Sequence, residues 1–167
     1  MNRERYEAVT GFFYENDKAR YALQFTYHFL PLLLFVAYPA LLIYTLIQYG
    51  FDEVFLKVLL VPFFTLAVVT VVRRLINAER PYERYGIPSV FDKKTVRQSL
   101  PSRHTASAFI IAMSFWYIFP PLGIAAMVVS VLIALSRVLS GAHFIRDVLV
   151  AAGTSILIGW VVYFLMD

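Results

Sequence analysis

The chain has 167 residues and a formal net charge of +4; 60% of its residues are hydrophobic, 16% are charged and none is cysteine. Soluble domains average roughly 45–50% apolar and about 25% charged residues, so this composition predicts an integral membrane protein of one domain, residues 1–167. It excludes disulfide bonds and thiolate metal sites, and it argues against nucleic-acid binding, which needs a basic soluble body.

The first twenty residues are polar and of mixed charge, without the apolar core that a signal peptide requires. Tyr6, Val9, Phe12 and Phe13 recur at helical spacing. This pattern favours an amphipathic helix over residues 1–20 that lies on the membrane surface. A frayed polar tail is the alternative.

Five apolar stretches follow, each close to the roughly 20 residues that cross a bilayer. The expected spans are 23–49, 54–72, 102–119, 122–139 and 143–166. Pro31 and Pro39 are expected to kink the first span, and a pair of prolines at 120–121 separates the third from the fourth. The sequence therefore predicts an all-α, polytopic transmembrane helical bundle of about five spans, with neighbouring spans antiparallel.

One long polar connection, residues 75–100, is punctuated by Pro and Gly. A loop of this length in a short chain is usually functional or disordered, and we interpret it as an active-site loop. Five crossings place it on the same face as the N-terminal helix and the 137–147 turn. That face would carry all of the 15 Lys and Arg residues, Lys94 included, except Lys57. The positive-inside rule then predicts a cytoplasmic face.

The first of three polar clusters on that face contains Arg73 and Arg80-Pro81. Seven residues make nearly two helical turns, so both guanidinium groups would point one way if the helix continued past Arg73. Arginine presents a planar fork that matches phosphate oxygens. The alternative is an arginine at the membrane edge that faces lipid headgroups, and this is the interpretation we favour for Arg74 and Arg84.

The second cluster, Pro101-Ser102-Arg103-His104, opens the third span. Ser102 is a natural N-cap, and the free N–H groups of a helix start, together with the donors of Ser102 and Arg103, would bind an anion. His104 stands where it could give a proton to a departing alkoxide. Alternatively, Ser102 only caps the helix and His104 is an interfacial residue.

The third cluster joins Arg137, at the end of the fourth span, to His143 and Asp147, at the start of the fifth. His143 and Asp147 are four residues apart, so on a helix they would share a face. A carboxylate in that place can fix the tautomer and orientation of an imidazole. Since charges in spans are expensive, Arg137 and Asp147 should face a wet, protein-lined cavity. A structural hydrogen bond between helices is the alternative.

Together, two histidines, one carboxylate and at least three arginines on one membrane face indicate a phosphate site. Two histidines and an aspartate could instead form a metal site. The neighbouring arginines would repel a divalent cation, so we predict no metal site and no other cofactor.

These clusters resemble the signature of the type 2 phosphatidic acid phosphatase (PAP2) superfamily: Lys-x6-Arg-Pro, then Pro-Ser-Gly-His, then Ser-Arg-x5-His-x3-Asp. The corresponding segments here are Arg73-x6-Arg80-Pro81, Pro101-Ser102-Arg103-His104 and Ser136-Arg137-x5-His143-x3-Asp147. Order and spacing agree over about residues 65–160. Arg73 replaces the family lysine, and Arg103, a further donor that could contact a second phosphate, replaces the family glycine.

The resemblance implies a metal-independent membrane enzyme that removes phosphate from a lipid phosphomonoester or diphosphate in the bilayer through a phosphohistidine. Phosphatidate, phosphatidylglycerophosphate and polyprenyl diphosphate all fit. The implied catalytic residues are His143, His104 and Asp147, and the implied phosphate-binding residues are Arg73, Arg80, Ser102, Arg103 and Arg137. A lipid phosphotransferase with the same site and a non-enzymatic headgroup-binding membrane protein are the alternatives.

Overall fold

The structure, a computed structural model, describes residues 2–93 and 95–166. Over these residues it contains helices and no strand. The helices are α1 (Arg3–Glu15), α2 (Asp17–Tyr49), α3 (Glu53–Ile76), α4 (Pro81–Tyr85), α5 (Arg103–Ile118), α6 (Pro120–Leu139) and α7 (Ile145–Phe164). Three residues lie outside this part of the chain: Met1 and Asp167, which are the ends of the predicted domain, and Lys94, which belongs to the predicted basic face.

Four helices, α2, α3, α6 and α7, are long and apolar enough to cross a bilayer. The prediction of a multi-pass helical bundle is therefore confirmed. The fifth long helix, α5, has 16 residues, about 24 Å at 1.5 Å per residue, against a hydrocarbon core of about 30 Å. It packs against α2, α3, α6 and α7, and its residues 108–114 are buried. The shortest of these five long helices is thus the central helix of the bundle.

Small residues allow the helices around α5 to approach closely. A Cβ added to Gly123 of α6 would lie 2.3 Å from the Cα of Trp116, and one added to Gly159 of α7 would lie 2.8 Å from the Cβ of Met113. Large apolar side chains such as Ile47 and Leu149 instead point outward and are exposed. Close packing through small residues, with large apolar groups facing lipid, is typical of helices in membranes.

Proline has different consequences at different helix positions. Helix α2 runs without interruption through Pro31 and Pro39. The pair at 120–121 occupies the first turn of α6, after α5 has ended at Ile118, where a missing N–H costs nothing. The predicted break between the third and fourth spans is therefore present, and the first span remains one helix.

The alternation of helix directions brings five helix ends to one end of the bundle. The starts of α2, α5 and α7 meet the ends of α3 and α6 there, together with the 75–100 connection. Residues 77–93 and 95–100 of that connection are irregular apart from α4, as the sequence predicts. The polar clusters predicted from the sequence all lie at this end.

Helix α1 also packs against this end. The Tyr6 hydroxyl is 3.2 Å from the carbonyl oxygen of Ile87 and 3.4 Å from that of Gly141. Gly141 has φ +75°, and a Cβ there would lie 2.5 Å from the same hydroxyl, so this turn requires glycine. The predicted surface helix therefore also holds the loop against the turn between α6 and α7.

Candidate active site

His143 and Asp147 are in contact, but not for the reason that their spacing suggested. His143 Nδ1 lies 3.6 Å from Asp147 Oδ2, and the two side chains are 1% and 0% exposed. Helix α7 begins only at Ile145, so the prediction that both residues share a helix face is wrong. Asp147 accepts a hydrogen bond from the Phe144 backbone N–H at 3.0 Å. This capping hydrogen bond turns the Asp147 carboxylate back toward His143, the residue before the N-cap.

Ser99 completes the surroundings of this pair, and sequence reasoning missed it. Its buried hydroxyl donates to Asp147 Oδ2 and lies 3.4 Å from His143 Nδ1. Its backbone N–H donates to the Ala78 carbonyl at 3.0 Å. Ser99 therefore links the pair to the segment that leads to Arg80. A serine in a polar loop carries no spacing signal, so no sequence pattern distinguished it from the other polar residues there.

The second ring nitrogen of His143 faces a cation. Arg80 Nη1 lies 3.5 Å from His143 Nε2 and donates to the Ala142 carbonyl at 3.1 Å. Burial, against the opposing effect of Asp147 and together with the charge of Arg80, lowers the pKa of His143 to about 4. The imidazole is therefore neutral near pH 7. With Nδ1–H directed at Asp147, Nε2 carries the lone pair.

Arg73 and Arg80 come together across a break in the helix. The condition that α3 continues to Arg80 is not met: Asn77 adopts φ +46°, which ends the helix, and Arg80 is instead the N-cap of α4. Both guanidinium groups are nevertheless buried, at 4% and 2% exposure. Arg73 Nη1 donates to the Pro101 carbonyl at 3.0 Å, and Arg80 Nε donates to the Arg97 carbonyl at 2.9 Å.

Arg137 reaches the same region from the last turn of α6. Its Nη2 donates to the Tyr27 carbonyl at 2.8 Å, and its guanidinium carbon lies 3.7 Å from the centre of the Tyr27 ring. The Nε atoms of Arg73 and Arg137 are buried and have no hydrogen-bond partner among the described residues. Buried donors without partners are costly, and an anion between the arginines would satisfy them.

The start of α5 holds the second predicted cluster. Ser102 is the N-cap, as predicted, but its buried hydroxyl accepts from the Thr105 hydroxyl at 3.1 Å and bonds no backbone N–H. The Ser102 backbone N–H donates to the Asp147 carbonyl at 3.0 Å, which ties α5 to α7. Arg103 and His104 are exposed, and His104 lies within electrostatic range of Arg137 and His143.

Lys93 is a further cation that sequence reasoning did not select. Its Nζ donates to the Tyr27 hydroxyl at 3.2 Å, so Tyr27 lies between Lys93 and Arg137. Burial lowers the pKa of Lys93. The lysine stood in the 75–100 connection with other basic residues, and nothing in its spacing distinguished it from them.

The charges of the site are unbalanced in favour of an anion. The buried side chains of Arg73, Arg80 and Arg137 are accompanied by one buried carboxylate, that of Asp147. Over residues 2–93 and 95–166, no three His, Asp or Glu side chains come together in a way that could hold a metal ion. Unpaired buried cations are unfavourable, so this arrangement suits a phosphate dianion that carries its own oxygen acceptors.

Comparison with known families agrees with the arrangement of these clusters. The model of the PAP2 superfamily matches residues 54–167. The chain belongs to the PAP2 superfamily. The matched region begins in α3 and contains all eight residues that the sequence pattern selected, so the family resemblance inferred from the motifs is confirmed.

Two proteins are similar to this PAP2 chain. Lipid A 1-diphosphate synthase of Escherichia coli (strain K12) is 37% identical over 76 residues, which are 44% of this chain and 32% of that protein. The crystal structure of a transmembrane PAP2-type phosphatidylglycerolphosphate phosphatase from Bacillus subtilis superposes with a TM-score of 0.72 at 21% identity, over 95% of this chain and 83% of the other. The second likeness shows that the fold is that of a transmembrane PAP2 protein.

Proposed function

We propose that this chain is an integral-membrane lipid phosphatase that hydrolyses a phosphomonoester or diphosphate of a lipid through a phosphohistidine. The observation that carries the proposal is a buried imidazole next to the buried guanidinium of Arg80, at an end of the bundle where two more buried guanidinium groups retain free donors. Membership of the PAP2 superfamily and the membrane-spanning fold support phosphatase chemistry on a lipid.

In the first step, His143 Nε2 attacks phosphorus and the bond to the leaving oxygen breaks. Asp147 accepts the Nδ1–H bond and stabilises the imidazolium that forms. Arg73, Arg80 and Arg137 bind the non-bridging oxygens, on which charge is spread in phosphoryl transfer. The Ser102 hydroxyl, the first N–H groups of α5 and the exposed guanidinium of Arg103 add further donors.

His104 transfers a proton in each half of the reaction. It gives a proton to the leaving lipid alkoxide, or to the leaving lipid phosphate when the substrate is a diphosphate. In the second half it takes a proton from the water that attacks the phosphohistidine, which releases inorganic phosphate and restores His143. This mechanism needs no metal, and the mixture of arginines with a single carboxylate is a poor donor set for a divalent cation.

Phosphate release from a panel of lipids tests the proposal. Purified protein would be given phosphatidate, phosphatidylglycerophosphate, polyprenyl phosphate and polyprenyl diphosphate, each with and without a chelator. We expect release from at least one lipid, unchanged by the chelator, and an acid-labile phosphoenzyme from ³²P-labelled substrate. Activity that the chelator abolishes would contradict the metal-free mechanism. Binding without release would favour a non-enzymatic headgroup-binding protein.

A lipid phosphotransferase is the second candidate, because one similar protein is named as a synthase of a lipid diphosphate. In this reaction the phosphohistidine passes its phosphoryl group to a lipid phosphate and not to water. Adding an acceptor lipid phosphate to the assay distinguishes the two functions. A phosphorylated acceptor formed in place of inorganic phosphate would identify the transferase.

We also propose that the active-site end faces the cytoplasm, as the distribution of basic residues predicts. The chain has no cysteine, so single cysteines can report sidedness directly. We expect a membrane-impermeant maleimide to label Phe51→Cys in intact cells and Glu15→Cys only after lysis. Both positions are exposed, at opposite ends of α2. The reverse pattern would place the site on the outer face.

A further inference from the structure

An apolar groove of about 530 Å³ runs between α2, α3 and α5 and reaches His104 at the active-site end. Its walls are residues 31–38 of α2, 59–66 of α3 and 104–111 of α5. Each stretch advances seven residues, or about 10 Å at 1.5 Å per residue. The groove is therefore an apolar path about 10 Å long that ends at the proposed proton donor.

A hydrogen bond between the two outer walls marks the far end of the groove. The Tyr38 hydroxyl of α2 donates to the Val58 carbonyl of α3 at 2.9 Å. This carbonyl is available because Pro62, four residues later, has no N–H to bond it. Tyr38 and Leu59 are the deepest residues of the lining on their helices, so the walls are joined where the groove stops.

We propose that this groove binds the first part of one hydrocarbon chain of the substrate, next to the phosphate, and that the rest of the chain lies in the bilayer. The proposal rests on the proposed phosphatase function and specifies the length of hydrocarbon chain that the protein contacts. With C–C bonds of about 1.5 Å, an extended chain advances roughly 1.3 Å per carbon. The groove therefore accommodates about eight carbons.

A series of n-alkyl phosphates from ethyl to tetradecyl, each used below its critical micelle concentration, tests this length. We expect kcat/KM to rise about fourfold per methylene, the factor that burial of ~0.8 kcal/mol per methylene represents, and to level off near octyl phosphate. A rise that continues beyond dodecyl phosphate, or no dependence on length, would overturn the assignment.

Two matched variants of α3 separate the groove from the general lipid-facing surface. Leu66 lines the groove and is 38% exposed, whereas Val68, on the same helix, is exposed outside it. We expect Leu66→Trp to lower the octyl-to-ethyl ratio of kcat/KM at least tenfold and Val68→Trp to leave it unchanged. Equal effects of the two variants would overturn the assignment. Failure to release phosphate from any alkyl or lipid phosphate would instead overturn the phosphatase function.

A second, independent observation concerns Pro31 of α2. In a regular helix the carbonyl of Tyr27 would accept the N–H of residue 31, but proline has none. The freed carbonyl accepts Arg137 Nη2 at 2.8 Å. We infer that Pro31 is a positioning residue: it leaves open the backbone acceptor that holds Arg137 against the Tyr27 ring and so orients the guanidinium toward phosphate.

Pro39 provides a matched control within the same helix. It frees the carbonyl of Phe35, which lies about two helical turns farther from the active-site arginines than the carbonyl of Tyr27. Pro31→Ala restores a helical N–H that competes with Arg137 for the Tyr27 carbonyl. We expect it to raise KM about tenfold and to weaken inhibition by inorganic phosphate similarly, with a smaller change in kcat, while Pro39→Ala changes both less than twofold.

A double-variant cycle tests whether the effect of Pro31 passes through Arg137. In an Arg137→Lys background, Pro31→Ala should cause little further loss of protection by inorganic phosphate against thermal unfolding. This measurement needs no turnover, so it holds even if the background is inactive. Independent, multiplicative losses, or equal effects of Pro31→Ala and Pro39→Ala, would overturn the inference.

Discussion

The two imidazoles of the candidate active site lie at the same end of the bundle in opposite surroundings. His143 is 1% exposed and lies between the Asp147 carboxylate and the Arg80 guanidinium. His104 is exposed at the end of an apolar groove. A nucleophile needs one fixed line of approach to phosphorus, whereas an acid that becomes a base must reach first a leaving group and then a water molecule. The contrast supports different roles for two residues of the same type.

Removing the buried imidazole should have the largest effect. His143→Ala leaves no nitrogen to attack phosphorus, so we expect phosphate release to fall at least about 10³-fold, as with other catalytic nucleophiles. The ³²P-phosphoenzyme should also disappear. His28→Ala is the control, because His28 is an exposed histidine of α2. Turnover of several lipid phosphates at the wild-type rate by His143→Ala would assign the nucleophile to another residue.

Removing the exposed imidazole should have an effect that depends on the leaving group. General acid catalysis contributes about 10²–10⁴-fold, so His104→Ala should lower the rate of phosphoenzyme formation by that factor for alkyl phosphates. An aryl phosphate, whose leaving group needs no proton, should lose much less in this step. The phosphoenzyme from the aryl substrate should then accumulate, since water lacks its base. Equal losses for both substrates would remove the proton-transfer role.

The sequence predicted which groups meet, because helix direction alone determines it. Once about five spans alternate, the residues at the end of α3, the start of α5 and the turn after α6 must share one end of the bundle. The placement of Arg73, Ser102 and Arg137 at that end therefore follows from helix direction alone. The exact backbone path could not be predicted where a single residue changes it. The left-handed Asn77 ends α3 before Arg80, and the cap formed by Asp147 places His143 before α7.

The partners of these residues could not be predicted, because they come from packing between distant segments. Ser99 reaches Asp147 only through the fold of the polar connection, and Lys93 reaches Tyr27 across the space between that connection and α2. One feature was visible in the sequence, but its partner was not. A proline inside α2 leaves the carbonyl four residues earlier without its helical hydrogen bond. Which side chain donates to that carbonyl depends on how α6 packs against α2.

Removing a hydrogen bond that holds the His143–Asp147 pair should lower activity by an intermediate amount, and it tests whether the buried imidazole needs to be held in place. Ser99→Ala removes a hydrogen bond to the Asp147 carboxylate, and bonds to charged groups contribute about 1.5–3 kcal/mol, or roughly 10- to 150-fold. We expect kcat to fall within that range with KM little changed, because no contact to substrate is lost. Ser99→Thr, which keeps the hydroxyl, should restore part of the loss.

The control for this experiment is Ser130→Ala. Ser130 is equally buried, but its hydroxyl donates to the Ala126 carbonyl of its own helix. The variant should leave kcat unchanged. If Ser99→Ala instead raised KM alone, Ser99 would contact substrate and would not be a support for the histidine–carboxylate pair.

The smallest expected effect is on the pH dependence of the free energy of unfolding, to which the buried imidazole of His143 contributes. The folded-state pKa of His143 is lowered to about 4 by burial, whereas an unfolded histidine titrates near 6.5. Between these values the unfolded chain binds a proton that the folded chain does not, so the free energy of unfolding falls as pH falls from about 6.5 to about 4. His143→Ala should therefore reduce the slope of thermal stability across this window. An unchanged slope in His143→Ala would mean that the folded and unfolded chains bind a proton equally at this imidazole, and that burial does not hold it neutral below about pH 6.5.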